Sequence, residues 1–191
     1  MIKIEENATQ KALFIDGQCQ GVMDKDGTPA SPYMKPVMER IAGLQKGSEI
    51  LFLGGGLYVL PKWAQDRHHN VSVVEIDPLV QAAAKPQSDS FYMGIGDAKT
   101  ALDNMEKEWF DFIFLDIWPN DPAVYCADYF VKCKQALKKG KTLSFNYIAD
   151  KQTDLDAMGK LAAAVFANVK MTVIYLDKEM KKPRQAVYFC D

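Results

Sequence analysis

The chain has 191 residues, of which 48% are hydrophobic and 25% charged, with 23 Lys and Arg against 25 Asp and Glu. That length suits one well-filled domain, and a formal charge of −2 gives no general attraction to nucleic acid or to an anionic membrane. No apolar run reaches a membrane span and the opening residues have no signal-peptide character, so a cytoplasmic protein is expected.

In chain order, residues 11–24, "KALFIDGQCQGVMD", place two β-prone runs around the turn pair Asp16-Gly17 and predict a hairpin. A Gly/Pro/Ser-rich loop follows, and "YMKPVMERIAGL" then carries helical spacing. Short apolar runs come next at 49–53, 71–75, 91–95, 110–115, 142–147 and 171–176. The clearest helical intervals between them are "PLVQAAAK", "KTALDNMEKE", "ADYFVKCKQALKK" and "KQTDLDAMGKLAAAVFAN". Strands apolar on both faces and alternating with helices make a parallel sheet covered on both sides. The last two runs, "VKMTVIYLD" and "QAVYFCD", are joined by a short polar link containing Pro183, which fits an antiparallel hairpin. The expectation is an α/β protein: a Rossmann-like domain over 31–191, mostly parallel with a C-terminal antiparallel hairpin, preceded by a β-hairpin element over 1–30. Cys19, Cys126, Cys133 and Cys190 lie far apart without a CxxC pair and read as reduced thiols. His68 and His69 are adjacent in a polar stretch without ligand spacing, so a solvated turn is expected there and no metal site.

The candidate site starts at "ILFLGGGLYVLPKW", where three glycines end the first parallel strand. Ligands of such sheets bind beyond the carboxyl ends of the strands, and Gly54, Gly55 and Gly56 would let a ligand approach the backbone. Glu75 and Ile76 end the second strand, and an acid at that distance from the glycines is placed to accept from both ribose hydroxyls. Asp77 before Pro78 fills the helix-cap role, which leaves Glu75 free for the ligand. The third strand runs into "GIGDAKT", where Asp97 can accept from an adenine amino group and the Ala98 amide can donate to a ring nitrogen. An N-cap role for Asp97 is compatible with this. The fourth strand ends at Asp116. Gly, Glu, Asp and Asp at four successive strand ends point to an adenosine-containing ligand. Nicotinamide dinucleotide sites share the first two features but want a third glycine where this chain has Val59. S-adenosylmethionine sites of the class I methyltransferase fold also use acids after the third and fourth strands and finish with a β-hairpin, so that type is favoured.

The run "LFLGGG…VSVVEIDP…GDAKTAL…FDFIFLD" resembles the spermidine synthase family of aminopropyltransferases. "ALFIDGQCQ" is similar to that family's strand-turn-strand ending in Asp-Gly-x-x-Gln, here Asp16, Gly17 and Gln20, and Tyr33 resembles the tyrosine that faces the substrate pocket. The resemblance spans roughly residues 11–150. It implies a small β element on a methyltransferase-like domain, with Glu75 on the ribose, Asp97 and Ala98 on the adenine, and Gly54–Gly56 against the nucleoside and thioether. The chain departs from the family at two places. The acid that binds the donor's amine is replaced by Leu57, and the second of two acids after the fourth strand is replaced by Pro119, with Asp121 displaced by two positions.

Asp116 and Asp121 are therefore the candidate catalytic acids. Gln20, Tyr33, Trp118, Asn146 and Tyr147 are the candidates around the acceptor, with Trp118 placed to stack or to attract a cation through its ring face. The leading expectation is a transferase using S-adenosylmethionine or its decarboxylated form, acting on a small cationic acceptor as in polyamine synthesis. A small-molecule methyltransferase and a non-catalytic nucleoside-binding relative are the alternatives. The partner expected is a small-molecule substrate, not nucleic acid or membrane, and a homodimer is compatible with the chain.

Overall fold

The computed structural model describes residues 1–84, 92–117, 125–149, 151–174 and 185–191. A three-stranded sheet comes first: β1 (Ile2–Glu6), β2 (Gln10–Ile15) and β3 (Gln18–Asp24), in the order β1-β2-β3. Both pairings are antiparallel. Helix α1 (Met34–Ala42) leads into a seven-stranded sheet built from β4 (Glu49–Leu53), β5 (Asn70–Glu75), β6 (Tyr92–Ile95), β7 (Phe110–Leu115), β8 (Leu137–Ile148), β9 (Val169–Ile174) and β10 (Gln185–Cys190). The helices between its strands are α2 (Val59–Gln65), α3 (Pro78–Ala84), α4 (Ala98–Asp103), α5 (Ala127–Ala136) and α6 (Gln152–Ala163). The strand order is β6-β5-β4-β7-β8-β10-β9. Strands β4 to β8 pair in parallel, and β10 runs antiparallel to both of its neighbours.

The apolar runs explain this layering. Every residue of β7, "FDFIFL", is buried, and its alternation supplies both faces of the sheet. Phe112 and Phe114 pack with Ile50, Phe52, and Val37 and Ile41 of α1. Ile113 and Leu115 pack with Tyr129 and Phe130 of α5 and Leu155 of α6. Each such side chain contributes about 1.5–3 kcal/mol on leaving water. Helix α1 buries Met34, Val37 and Ile41, a spacing that draws one stripe down its face. The expected cap at Asp77 is present: its Oδ1 accepts from the Leu79 amide at 2.8 Å, ahead of Pro78.

The hairpin turns at Asp16 and Gly17, whose φ angles of 49° and 80° suit a two-residue loop that follows strand twist. To the expected hairpin the structure adds β1, which packs Ile2 and Ile4 beside Leu13. Leu13 in turn meets Leu57, Val59 and Val80 of the larger unit, so the small sheet closes over the end of the parallel one.

Other boundaries differ for physical reasons. Helix α5 stops at Ala136, and the "LKK" expected as helix opens β8 instead. Leu137 pairs with Phe110, while Lys138 and Lys141 both reach Asp111, so strand pairing and charge override helix propensity. Helix α4 ends at Asp103 and α6 at Ala163, both short of the apolar spacing seen in the sequence. The expected solvated turn holds for His68, which is exposed with φ 67°, but His69 is buried against the return into β5. Pro183 lies outside the described residues. Cys133 and Cys190 are buried, Cys126 is half-buried and Cys19 is exposed, all as free thiols. No helix among the described residues is long and apolar enough to cross a membrane.

Candidate active site

The carboxyl ends of β4, β5, β6 and β7 open into one cavity of about 600 Å³, within the range of small-molecule sites. Gly54, Gly55, Gly56, Glu75, Ile76, Asp97, Ala98 and Asp116 all line it, and so do Gln20 and Tyr33 from the N-terminal segment. The strand ends are tied to one another. The Gly54 amide donates to the Val74 carbonyl at 2.9 Å, Gly96 to Glu75 and Asp116 to Leu53 at the same distance.

The three glycines answer to different demands. Gly54 has φ +95°, and a Cβ there would stand 2.0 Å from the Asp116 carbonyl oxygen, so strand packing alone requires glycine. A Cβ on Gly55 would meet the buried Tyr58 ring at 2.7 Å. Only Gly56, with φ +51°, faces open space. Packing thus demands glycine at the first two positions, which line the cavity all the same.

Glu75 is buried, and both of its oxygens hold the turn: Oε2 accepts from the Gly55 amide at 2.8 Å and Oε1 from the Asp77 amide at 3.0 Å. The expectation that Asp77 leaves Glu75 wholly free for a ligand is corrected accordingly. A carboxylate offers about four lone-pair sites, so it retains acceptor capacity toward the cavity. Asp97 is the N-cap of α4, with Oδ2 accepting from the Thr100 amide at 2.7 Å. Gln20 owes its position to a β-bulge. Leu13 pairs with Gly21 and Phe14 with Cys19, so Gln20 is the extra residue on β3 and is turned to the cavity wall.

Asp116 receives two neutral donors. The Tyr33 hydroxyl donates to Oδ2 at 2.8 Å and the Asn146 amide to Oδ1 at 2.9 Å. Burial lifts the Asp116 carboxyl above its ordinary range; the Asn146 and Tyr33 hydrogen bonds pull it part of the way back, and Glu75 adds to the rise. Burial, followed by the Asp116 charge, pushes the Tyr33 hydroxyl well up. Asn146 stands behind Asp116, outside the cavity lining. Tyr147 is the residue the structure leaves out of the group. It projects from the opposite face of β8, where it meets the Tyr125 ring edge-on at 5.3 Å, because successive strand residues alternate faces. Trp118, Pro119 and Asp121 lie outside the described residues. Leu57 lines the cavity within the apolar cluster of Leu13, Val59 and Val80.

Two participants escape a reading of the sequence. Tyr125 holds its hydroxyl between Ile117 and the Asn146 carbonyl, donating to the latter at 3.0 Å. Gln185 donates its amide to Asn146 Oδ1 at 2.9 Å. Neither carries a motif, since each acts through contacts made across the sheet.

No family model and no curated protein matches the chain. Among solved structures it is similar to a probable spermidine synthase from Corynebacterium glutamicum, with a TM-score of 0.85 at 16% identity, covering 100% of this chain and 76% of that one. It is also similar to human methyltransferase-like protein 13 in complex with SAH, with a TM-score of 0.69 at 19% identity, covering 84% of this chain and 82% of that one. For the spermidine synthase from Thermotoga maritima the TM-score is 0.66 at 16% identity, over 99% and 72% of the two chains. At such identities the likeness establishes the fold: this is the Rossmann-like architecture shared by spermidine synthases and S-adenosylmethionine-dependent methyltransferases.

Proposed function

We propose that the chain is a transferase that binds S-adenosylmethionine or its decarboxylated form and passes a group to a small cationic acceptor, in the manner of the spermidine synthases it resembles. One observation carries this reading. The cavity is lined by five carboxylates, Asp16, Glu75, Asp77, Asp97 and Asp116, and by no Lys, Arg or His among the described residues. A partly desolvated cleft of that kind attracts a sulfonium or an ammonium more strongly than water would allow.

The residues fit such a donor. Glu75 would accept from the ribose hydroxyls with the lone pairs its two backbone partners leave. Asp97 would take the adenine amino group with the oxygen not used in capping α4. The Ala98 amide, first in that helix, has no intrahelical partner and would donate to a ring nitrogen. The donor supplies an activated S–C bond, so the protein's task is to place a nucleophile in line with it. Asp116 would orient a cationic acceptor and take its proton, and a carboxyl raised by burial is better matched to that task than an ordinary one. Tyr33 and Gln20 would complete the acceptor side.

A second reading, a small-molecule methyltransferase on the same fold, is favoured by Leu57. That residue presents an apolar wall where aminopropyl donors are expected to meet an acid. Calorimetric titration with S-adenosylmethionine, its decarboxylated form, methylthioadenosine and NAD tests both readings. Binding of the sulfonium nucleosides without NAD is the expected result, and preference between the two sulfonium forms separates aminopropyl from methyl transfer. NAD binding with every sulfonium nucleoside silent would overturn the cofactor class. Binding without turnover on any diamine or other small amine would leave the non-catalytic relative.

A further inference from the structure

Asp116 is the cavity acid with the most demanding environment. It is half-buried, it faces Glu75 from the end of β5, and no Lys or Arg among the described residues lines the same cavity. Its carboxylate depends on hydrogen-bond donors, and one of these has an ambiguity that the other lacks. The Tyr33 hydroxyl donates at 2.8 Å and can rotate to do so. An asparagine amide, in contrast, presents either its NH2 or its oxygen, two ends of nearly equal size. Turned one way Asn146 stabilises the charge on Asp116; turned the other way it sets an oxygen against it.

Something must therefore choose the orientation of Asn146, and the C-terminal strand does so. β10 pairs antiparallel with β8 in a register that sets Val187 opposite Asn146 and Gln185 opposite Ile148. Gln185 is thus the diagonal neighbour of Asn146 on the same sheet face. It is buried, 4% exposed, and its Nε2 donates to Asn146 Oδ1 at 2.9 Å. With that oxygen engaged, Asn146 has only its NH2 to offer Asp116, which it does at 2.9 Å. The Asn146 backbone is held as well, through the Tyr125 hydroxyl at its carbonyl.

We propose that Gln185 is a positioning residue: it fixes the Asn146 amide so that its NH2 faces Asp116 and keeps that carboxylate available to a cationic ligand. The consequence for the ligand rests on the function proposed above; the effect on Asp116 does not. Among the described residues, the titratable groups facing Asp116 are Tyr33 from the start of α1, Glu75 from β5 and Tyr125 ahead of α5, with Cys19 of β3 adding to the field at Tyr33. Burial holds Tyr33 and Tyr125 protonated far above neutrality, so they titrate outside the window of the carboxyl.

The test is a carbon-13 NMR titration of aspartate carboxyls, with the Asp116 signal assigned by its loss in Asp116→Asn. Gln185→Met keeps the size of the side chain and removes the donor. The expected result is an Asp116 midpoint at least one pH unit above that of the wild type, a tenfold weaker acid. An unchanged midpoint in a folded Gln185→Met protein overturns the proposal. Should that variant fail to fold, the wild-type protein still decides. Its Asn146 side-chain NH2 signals should move with the same midpoint as the Asp116 carboxyl, and NH2 signals indifferent to that titration would overturn the proposal equally. Methylthioadenosine titrated into the wild type tests the nucleoside reading apart from this: its failure removes the ligand, while the carboxyl titration still settles the role of Gln185.

Discussion

Asp111 and Asp116 stand at opposite ends of β7, the strand buried along its whole length, and their surroundings divide them. Asp111 accepts from the Lys138 ammonium at 2.7 Å, pairs with Lys141 at 3.2 Å and accepts from the Glu49 amide at 3.1 Å. Burial would raise its carboxyl, but these partners outweigh burial and hold it below the ordinary range. Asp116 has Tyr33 and Asn146, both neutral, and its carboxyl lies above that range. One acid has its charge matched inside the protein. The other has no cationic partner among the described residues and stands half-buried at the cavity wall, where a partly desolvated charge costs stability unless a ligand meets it. The contrast separates an acid whose partners lie within the fold from one that, in the function proposed above, would serve a ligand.

The sharpest way to break that contrast is to neutralise each acid in turn. Asp116→Asn is expected to lower acceptor-dependent turnover by about 10²–10⁴-fold, the usual scale for a lost general base. Where no turnover is found, binding of a cationic acceptor should fall instead. The fold should not suffer. With its folded pKa raised, Asp116 contributes stability below its unfolded value, and that contribution is lost as pH rises through the folded value. At neutral pH the Asp116→Asn variant should therefore melt at or above the wild-type temperature. A marked fall in melting temperature with kinetics intact would make Asp116 a structural acid like Asp111.

The glycine turn extends the comparison to backbone positions. Gly54→Ala sets a Cβ on the Asp116 carbonyl and demands a left-handed φ, so a loss of about 2–4 kcal/mol in unfolding free energy is expected. Gly56→Ala meets only the φ penalty, about 1 kcal/mol, because nothing stands near its Cβ. Denaturant melts of the two variants check the ranking, and equal losses would show that both glycines serve packing alone.

Glu75 lies between the two classes, since it holds the glycine turn and faces the cavity. Glu75→Gln should weaken methylthioadenosine by about 1.5–3 kcal/mol, the range for hydrogen bonds to a charged group. Calorimetry on the folded variant reads this directly, and unchanged affinity would assign Glu75 to the turn alone.

Asp111→Asn should leave nucleoside affinity untouched and cost about 1–3 kcal/mol of stability at neutral pH. The pH sign is opposite to that of Asp116. A lowered carboxyl stabilises above its unfolded value, and that contribution disappears as pH falls through the folded value. The variant's stability profile should thus be flatter than the wild type's on the acid side below about pH 4. An acid limb as steep as the wild type's would deny Asp111 its structural role.

What could be read from residues alone was local or periodic. The apolar runs around β4, β5 and β7, the Asp16-Gly17 turn, the Asp77-Pro78 cap and the order of Gly, Glu and Asp at strand ends all depend on near neighbours or on a two- or 3.6-residue repeat. That was enough to predict the layered sheet and to nominate Gly54–Gly56, Glu75, Asp97 and Asp116, which the structure gathers around one cavity. Tertiary structure decided the rest. Ile2 and Ile4 needed Leu13 beside them before β1 had a reason to form. "LKK" became strand because Leu137 pairs with Phe110 and Lys138 reaches Asp111. Tyr147 went to the far face by strand alternation, Gln20 reached the cavity through a bulge, and Gln185 met Asn146 only through the antiparallel register of β8 and β10. Each of these depends on pairings between residues distant in the chain, and a register carries no signature in either strand taken alone.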